Sequence, residues 1–215
     1  PVKTTVGFVG STGSGKTTIV DIILGLLQPN SGCVEVDNML INSENVRAWQ
    51  KTIGYVPQQI YLSDDTIAAN IAFGHDSNSI DYEAVESAAK IANLHEFIIE
   101  KLPNGYHTKV GEQGVRLSGG QRQRIGIARA LYYNPEVLIF DEATSALDSV
   151  TERSVMEAVH RLGQKKTIIM IAHRLSTVRT CDCIYILEDG KIEDQGNFDE
   201  LIERNASFKS MSKGK

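Results

Sequence analysis

The chain has 215 residues, 41% of them hydrophobic and 7% aromatic, which suffices to bury one good core and reads as one domain with a sub-lobe. Its formal charge of -5, from 22 basic and 27 acidic side chains, argues against the basic face that binding to nucleic-acid phosphates requires. No run approaches the roughly 18 apolar residues of a membrane span, and three cysteines without a disulfide framework suit a reducing compartment. The chain begins without methionine and is strand-like within a few residues, so it reads as a piece of something longer.

Val6, Phe8 and Val9 form an apolar extended run that leads into Gly10-Ser11-Thr12-Gly13-Ser14-Gly15-Lys16-Thr17. This fits the phosphate-binding pattern G-x-x-x-x-G-K-[ST], and Ile19, Ile22, Ile23 and Leu26 continue it as an apolar-periodic helix predicted over residues 15–27. Glycines permit a tight loop with inward-facing N–H groups, and the helix start adds its positive dipole end. Lys16 is placed to reach the β- and γ-phosphates of a nucleoside triphosphate, and the Thr17 hydroxyl to ligate Mg²⁺.

A turn cluster follows at Gln28-Pro29-Asn30-Ser31-Gly32, then a short strand over 33–36, one or two helical turns carrying Val46 and Trp49, and a strand over 53–56 bounded by Pro57. Residues 66–73, 82–92 and 94–101 carry helical spacing, which predicts a helical lobe over 59–135 inserted in an α/β core formed by 1–58 and 136–215. Within that lobe Ser118 and Gln121 form a capping box. Gly119 and Gly120 bare the first N–H groups of the helix that follows, and a bare helix start binds anions.

Strand and helix alternation then resumes. Val137, Leu138, Ile139 and Phe140 form a continuous apolar strand, as expected of a central parallel strand, ending in Asp141-Glu142. Paired with the phosphate loop, Asp141 is expected to hold the Mg²⁺ shell and Glu142 to act as general base. Ser149 and Glu152 read as a capping box for a helix with Val155, Met156, Val159 and Leu162 on one face, closed by Gly163. A buried strand over 167–172 ends at His173. The hairpin signal Glu188-Asp189-Gly190 separates strands at 184–187 and 191–193. Asn197 and Glu200 cap a short helix, and the tail over 207–215 reads as frayed. Cys181 and Cys183 lack a second pair and read as structural thiols rather than metal ligands. Asn205-Ala206-Ser207 reads as a chance match to a glycosylation acceptor, Trp49 as packing, and His75, His95, His107 and His160 carry no assigned role.

Taken together, the phosphate loop, Gln58, Leu117-Ser118-Gly119-Gly120-Gln121, Asp141-Glu142, Ser145-Ala146-Leu147-Asp148 and His173, which lies 31 residues after Glu142, resemble the ATP-binding domain of an ABC (ATP-binding cassette) transporter through essentially the whole chain. The resemblance implies a P-loop NTPase (RecA-like) α/β core and a head-to-tail dimer with a second copy of the same domain, with two ATP molecules at the interface. Gly10, Ser11, Thr12, Gly13, Ser14, Gly15, Lys16, Thr17 and Thr18 of one copy would hold each ATP. Ser118, Gly119, Gly120 and Gln121 of the other copy would cover it, and Asp148 would link the two sites. Gln58 would touch Mg²⁺ and the attacking water, and His173 the γ-phosphate.

Ile171-Ala172-His173-Arg174-Leu175-Ser176-Thr177 and the run from Asp141 to Asp148 resemble the exporter branch, in which a transmembrane domain is fused upstream and this domain lies on the cytoplasmic side of the membrane. Residues 108–114 resemble the exporter loop that touches the membrane helices, with Lys109 where that loop usually has an acid and Gln113 where it usually has an arginine. Through 55–76 the chain is similar to bacterial flippases for lipid-linked oligosaccharides. Importer subunits and soluble ABC-type ATPases of DNA maintenance or translation are the alternatives. The 59 residues between Gln58 and Ser118 hold no sustained heptads of the DNA-repair kind. Only nine residues precede Gly10. The family's antiparallel strands before the loop, with their adenine-stacking aromatic, are therefore largely missing, and weakened ATP affinity is expected.

Overall fold

In the computed structural model, which describes residues 2–144, 146–163, 165–172 and 174–213, the first apolar run is strand β1 (Thr5–Gly10) and the helix behind the phosphate loop is α1 (Lys16–Ile23). That helix stops short of the predicted 27. Gly25 takes φ +68, its amide donates to the Ile22 carbonyl at 3.0 Å, and the Leu26 amide donates to Asp21 at 2.8 Å. This is a Schellman stop, which a left-handed glycine permits. The predicted strand over 33–36 narrows to β2 (Glu35–Val36). Pairing it antiparallel is β3 (Met39–Leu40), which the sequence reading did not include. Next come α2 (Val46–Gln50) and β4 (Ile53–Val56), close to expectation. Trp49 does more than pack, since its Nε1 donates to the Ile23 carbonyl at 2.7 Å and closes the end of α1.

Helices α3 (Ile67–Ile71), α4 (Tyr82–Ile91), α5 (His95–Lys101) and α6 (Gly119–Tyr132) follow. Fully buried Asn70 knits the first of them in place. Its Nδ2 donates to the carbonyls of Ser63 and Thr66, both at 3.0 Å, and Arg129 Nε on α6 donates to the Asn70 carbonyl at 2.8 Å.

Beyond α6 lie β5 (Val137–Asp141), α7 (Ser149–Gly163), β6 (Thr167–Ile171), α8 (Leu175–Val178), β7 (Cys183–Glu188), β8 (Lys191–Gly196), α9 (Phe198–Arg204) and α10 (Ala206–Lys213). Two features differ from expectation. The cap of α7 is Asp148, whose Oδ1 accepts from the amides of Val150 and Thr151 at 3.1 and 3.0 Å, while the Glu152 carboxylate turns elsewhere. Asp and Ser serve equally well as caps, and Glu152, the box partner that Ser149 would need, is bonded to Thr144, Arg174 and Thr177 instead. The tail is helical because Asn205 Oδ1 caps it, accepting from the Phe208 amide at 2.9 Å, and Phe208 is wholly buried. The predicted β7–β8 hairpin is present, with Asp189 and Gly190 at φ +47 and +74 as a type I′ turn requires. Leu162 lies in α7, and the expectation for its side chain falls outside what is described.

Strand order is β4-β5-β6-β1-β7-β8, parallel except for the edge strand β8. The apolar run of β5 explains its central place. Leu138 and Phe140 join one cluster with Val56, Met170 and the helices of 67–132, whereas Ile139 faces the other way with Val20 of α1 and Leu24 at its C-cap. Each such buried side chain contributes about 1.5–3 kcal/mol, which no strand with one wet face would gain twice over. Parallel strands all end on the same edge, so the loop after β1, the Gln58 segment after β4 and Asp141-Glu142 after β5 gather there. The molecule is the P-loop NTPase fold that was expected. No described helix is long and apolar enough to cross a membrane.

Candidate nucleotide-binding site

The phosphate loop is shaped by its glycines. A Cβ on Gly10 would sit 2.4 Å from the Leu187 carbonyl oxygen, so β7 can lie this close only to a residue without a side chain. Gly15 enters α1 at φ +99, and no side chain caps the helix, which leaves its first N–H groups facing the loop. Lys16 lies 6% exposed, and its Nζ donates to the carbonyls of Gly10 at 2.9 Å and Ser11 at 2.8 Å. Burial lowers its pKa, against the opposing pull of Glu142 and Asp141.

A cleft of about 430 Å³ opens over this loop. Thr12, Gly13 and Gly15, Lys16, Thr17 and Thr18 form one wall, and Gln58 and Glu142 the other. Gln58 Nε2 donates to Glu142 Oε2 at 2.6 Å. Glu142 holds φ +50, unusual for a residue with a side chain, and its amide donates to the Ile171 carbonyl at 3.0 Å. Strain of this kind gathers at functional sites. Ser14 is buried under the loop, its amide donating to the Ser11 carbonyl at 3.2 Å.

Asp141 lies 9% exposed behind this wall, and Tyr55 donates its hydroxyl proton to Oδ2 at 3.3 Å. Burial pushes the Asp141 carboxyl up, the Tyr55 bond partly opposing it. Tyr55 is itself pushed up to about 12, first by burial and then by the Asp141 charge. Tyr55 was not among the expected site residues. The available signal was its place in β4, two residues before Pro57, beside the strand that ends in Asp141.

The residues expected to act in trans sit apart from this cleft. Ser118 and Gln121 form the predicted capping box at the start of α6, the Gln121 amide donating to Ser118 Oγ at 3.2 Å and the Ser118 amide to Gln121 Oε1 at 2.7 Å. Gly119 and Gly120 lie against Ala146, where a Cβ on Gly120 would come within 3.3 Å of the Ala146 carbonyl. Asp148 caps α7, and the Thr151 and Val150 amides hold its carboxyl below the usual carboxylate range. None of these five lines the phosphate-loop cleft. His173 and Ser145 lie outside the described residues. Among the described residues no group of three or more His, Cys, Asp and Glu is placed to hold a metal ion. Cys181 is buried and Cys183 half-buried, both as free thiols.

A profile of the ABC transporter family matches residues 2–145. The chain is 47% identical over 207 residues to the ATP-dependent lipid A-core flippase of Saccharophagus degradans, covering 96% of this chain and 35% of that protein. It is 48% identical over 196 residues to ABC transporter B family member 17 of Arabidopsis thaliana, covering 91% of this chain and 16% of that one. Among solved structures, a bacterial Atm1-family ABC exporter with ATP bound matches with a TM-score of 0.91 and 39% identity, over 97% of this chain and 36% of that chain. The chain thus spans about a third of the flippase and of the solved exporter chain. With the phosphate loop, the Asp141-Glu142 strand end and the capped Ser118-Gly119-Gly120-Gln121 helix in this order on this fold, the chain belongs to the ABC transporter family.

Proposed function

We propose that the chain binds ATP with Mg²⁺ and hydrolyses it as the cytoplasmic-side motor domain of a membrane exporter or flippase. The observation that carries this reading is the Gln58–Glu142 pair facing the phosphate loop across one cleft. A carboxylate so placed can take a proton from water, and the loop opposite it offers N–H groups and a buried ammonium to phosphate oxygens.

Lys16 is already desolvated, so it exchanges two carbonyl partners for phosphate oxygens without first losing a full water shell. Thr17, Gln58 and Asp141 supply hydroxyl, amide and carboxylate oxygens, the hard donor set that suits Mg²⁺. They are too few to hold the ion alone, which fits a cation that arrives with the triphosphate. When bound, it neutralises charge on the phosphate oxygens. Glu142 removes a proton from the attacking water while the water oxygen bonds to the γ-phosphorus. The bond to the β–γ bridging oxygen breaks, and ADP and phosphate leave. Gln58 holds the Glu142 carboxylate toward the cleft.

In this reading a second copy completes the site. Ser118, Gly119, Gly120, Gln121 and Asp148 lie away from their own cleft, which supports their action on the partner's ATP. The γ-phosphate would bridge two helix starts, so ATP favours the closed pair and hydrolysis releases it. The family pattern assigns His173 to that phosphate. Residues 59–135 form the lobe that presents Ser118 to the partner, and 1–58 with 136–215 the lobe that holds the nucleotide. The kinship with a flippase and with a solved exporter, each about three times the length of this chain, supports an exporter with a transmembrane domain fused upstream over an importer subunit, and a lipid-linked or amphiphilic cargo.

Replacing Glu142 by Gln tests the chemistry. Turnover should fall by about 10² to 10⁴ while ATP still binds. Unchanged turnover would remove Glu142 from its role.

A further inference from the structure

Three side chains converge on the Glu152 carboxylate. Thr144 Oγ1 donates to Oε1 at 2.9 Å, Thr177 Oγ1 donates to the same oxygen at 3.3 Å, and Arg174 Nη1 donates to Oε2 at 3.2 Å. Glu152 stands on α7 one turn after Asp148, its amide donating to the Asp148 carbonyl at 2.8 Å. Thr144 follows Glu142 by two residues. Arg174 follows His173 in the chain, and Thr177 is on α8. One carboxylate therefore ties together the loop after β5, the first turn of α7 and the start of α8.

Neither end of this network is needed to build the helices, since Asp148 already caps α7. Its consequence is the relative position of the segments. A cavity of about 60 Å³ lies among Glu142, Ala143, Thr144, Arg174 and Met156, so the strand-end loop has room to shift if the ties are cut. The Glu152 side chain is 13% exposed and does not line the phosphate-loop cleft.

We propose that Glu152 is a positioning residue for hydrolysis, which acts through Thr144 and Arg174 to hold the loop carrying Glu142 in register with the start of α8. This rests on the reading of the chain as an ATPase. Because Glu152 does not line the nucleotide cleft, its loss slows the chemical step and leaves ATP affinity in place.

Glu152→Gln isolates one arm of the network. The amide oxygen keeps both threonine bonds, while the amide nitrogen meets the arginine donor to donor. Turnover against ATP concentration, equilibrium binding of a fluorescent ATP analogue, and urea unfolding are measured on the full chain with Mg²⁺ present. For Glu152→Gln the expected result is a kcat lowered about 10- to 100-fold, as for a small misplacement of catalytic groups. KM and analogue affinity should stay within about twofold, as expected where binding contacts are untouched. Arg174→Gln should show the same loss and the double variant no greater one, since the two residues act as a unit. Glu152→Asp, which keeps the charge, should recover part of the rate. Should Glu152→Gln fail to fold, Arg174→Gln carries the same comparison. Wild-type turnover with indifferent variants, additive losses, or an affinity loss that matches the rate loss overturns the inference alone. A wild-type chain without ATP turnover overturns the ATPase reading and the inference with it.

Discussion

Gln58 and Glu142, 84 positions apart in the chain, meet at 2.6 Å with the amide donating to the carboxylate. The contact exists because β4 and β5 are parallel neighbours in register, Val56 beside Phe140, so both chains leave the sheet at the same edge. A hydrogen bond to a charged group is worth about 1.5–3 kcal/mol. If its loss frees the carboxylate, Gln58→Ala should lower kcat roughly 10- to 100-fold by that measure. Steady-state ATPase assays check this, and a kcat near that of the wild type would mean Glu142 is held by other contacts.

Asp141 yields a pH prediction. Burial raises its pKa above the ordinary 3.8, so the native chain keeps this proton to higher pH than the unfolded chain does. Between the two values the native state binds more protons, and the free energy of unfolding falls as pH rises. Its contribution is fully present below 3.8 and is lost as pH climbs through the folded value. Asp141→Asn removes that slope. The variant should gain stability relative to the wild type across this window and be the more stable near neutral pH, as read by urea unfolding at a series of pH values without nucleotide. A difference that is flat with pH would contradict the assignment.

Phe208 anchors α10, edge-on to Phe198 with ring centroids 5.5 Å apart. Phe208→Ala should cost about 3–5 kcal/mol, the usual range for a buried phenylalanine. Chemical denaturation measures it. A loss under about 1 kcal/mol, typical of exposed positions, would return the tail to the frayed state expected from its polar composition.

The local determinants were legible because they depend on near neighbours. The phosphate loop, the Ser118 and Asn197 capping boxes and the Asp189-Gly190 turn are each set within a few residues, where spacing and glycine placement leave few alternatives. The apolar run Val137 to Phe140 announced a strand buried on both faces for the same reason. What the tertiary structure decided was the competition between partners distant in the chain. Glu152 read as a local cap partner, yet Thr144, Arg174 and Thr177 claimed its carboxylate and Asp148 took over the cap. Tyr55 became part of the site only because sheet register set it beside Asp141, 86 positions away. The tail became a helix once Phe208 found a cavity to fill, an apolar gain that no window of nine polar-leaning residues could reveal. Near-neighbour chemistry is written in spacing, whereas the energies of burial and long-range hydrogen bonding belong to whichever groups the fold brings together.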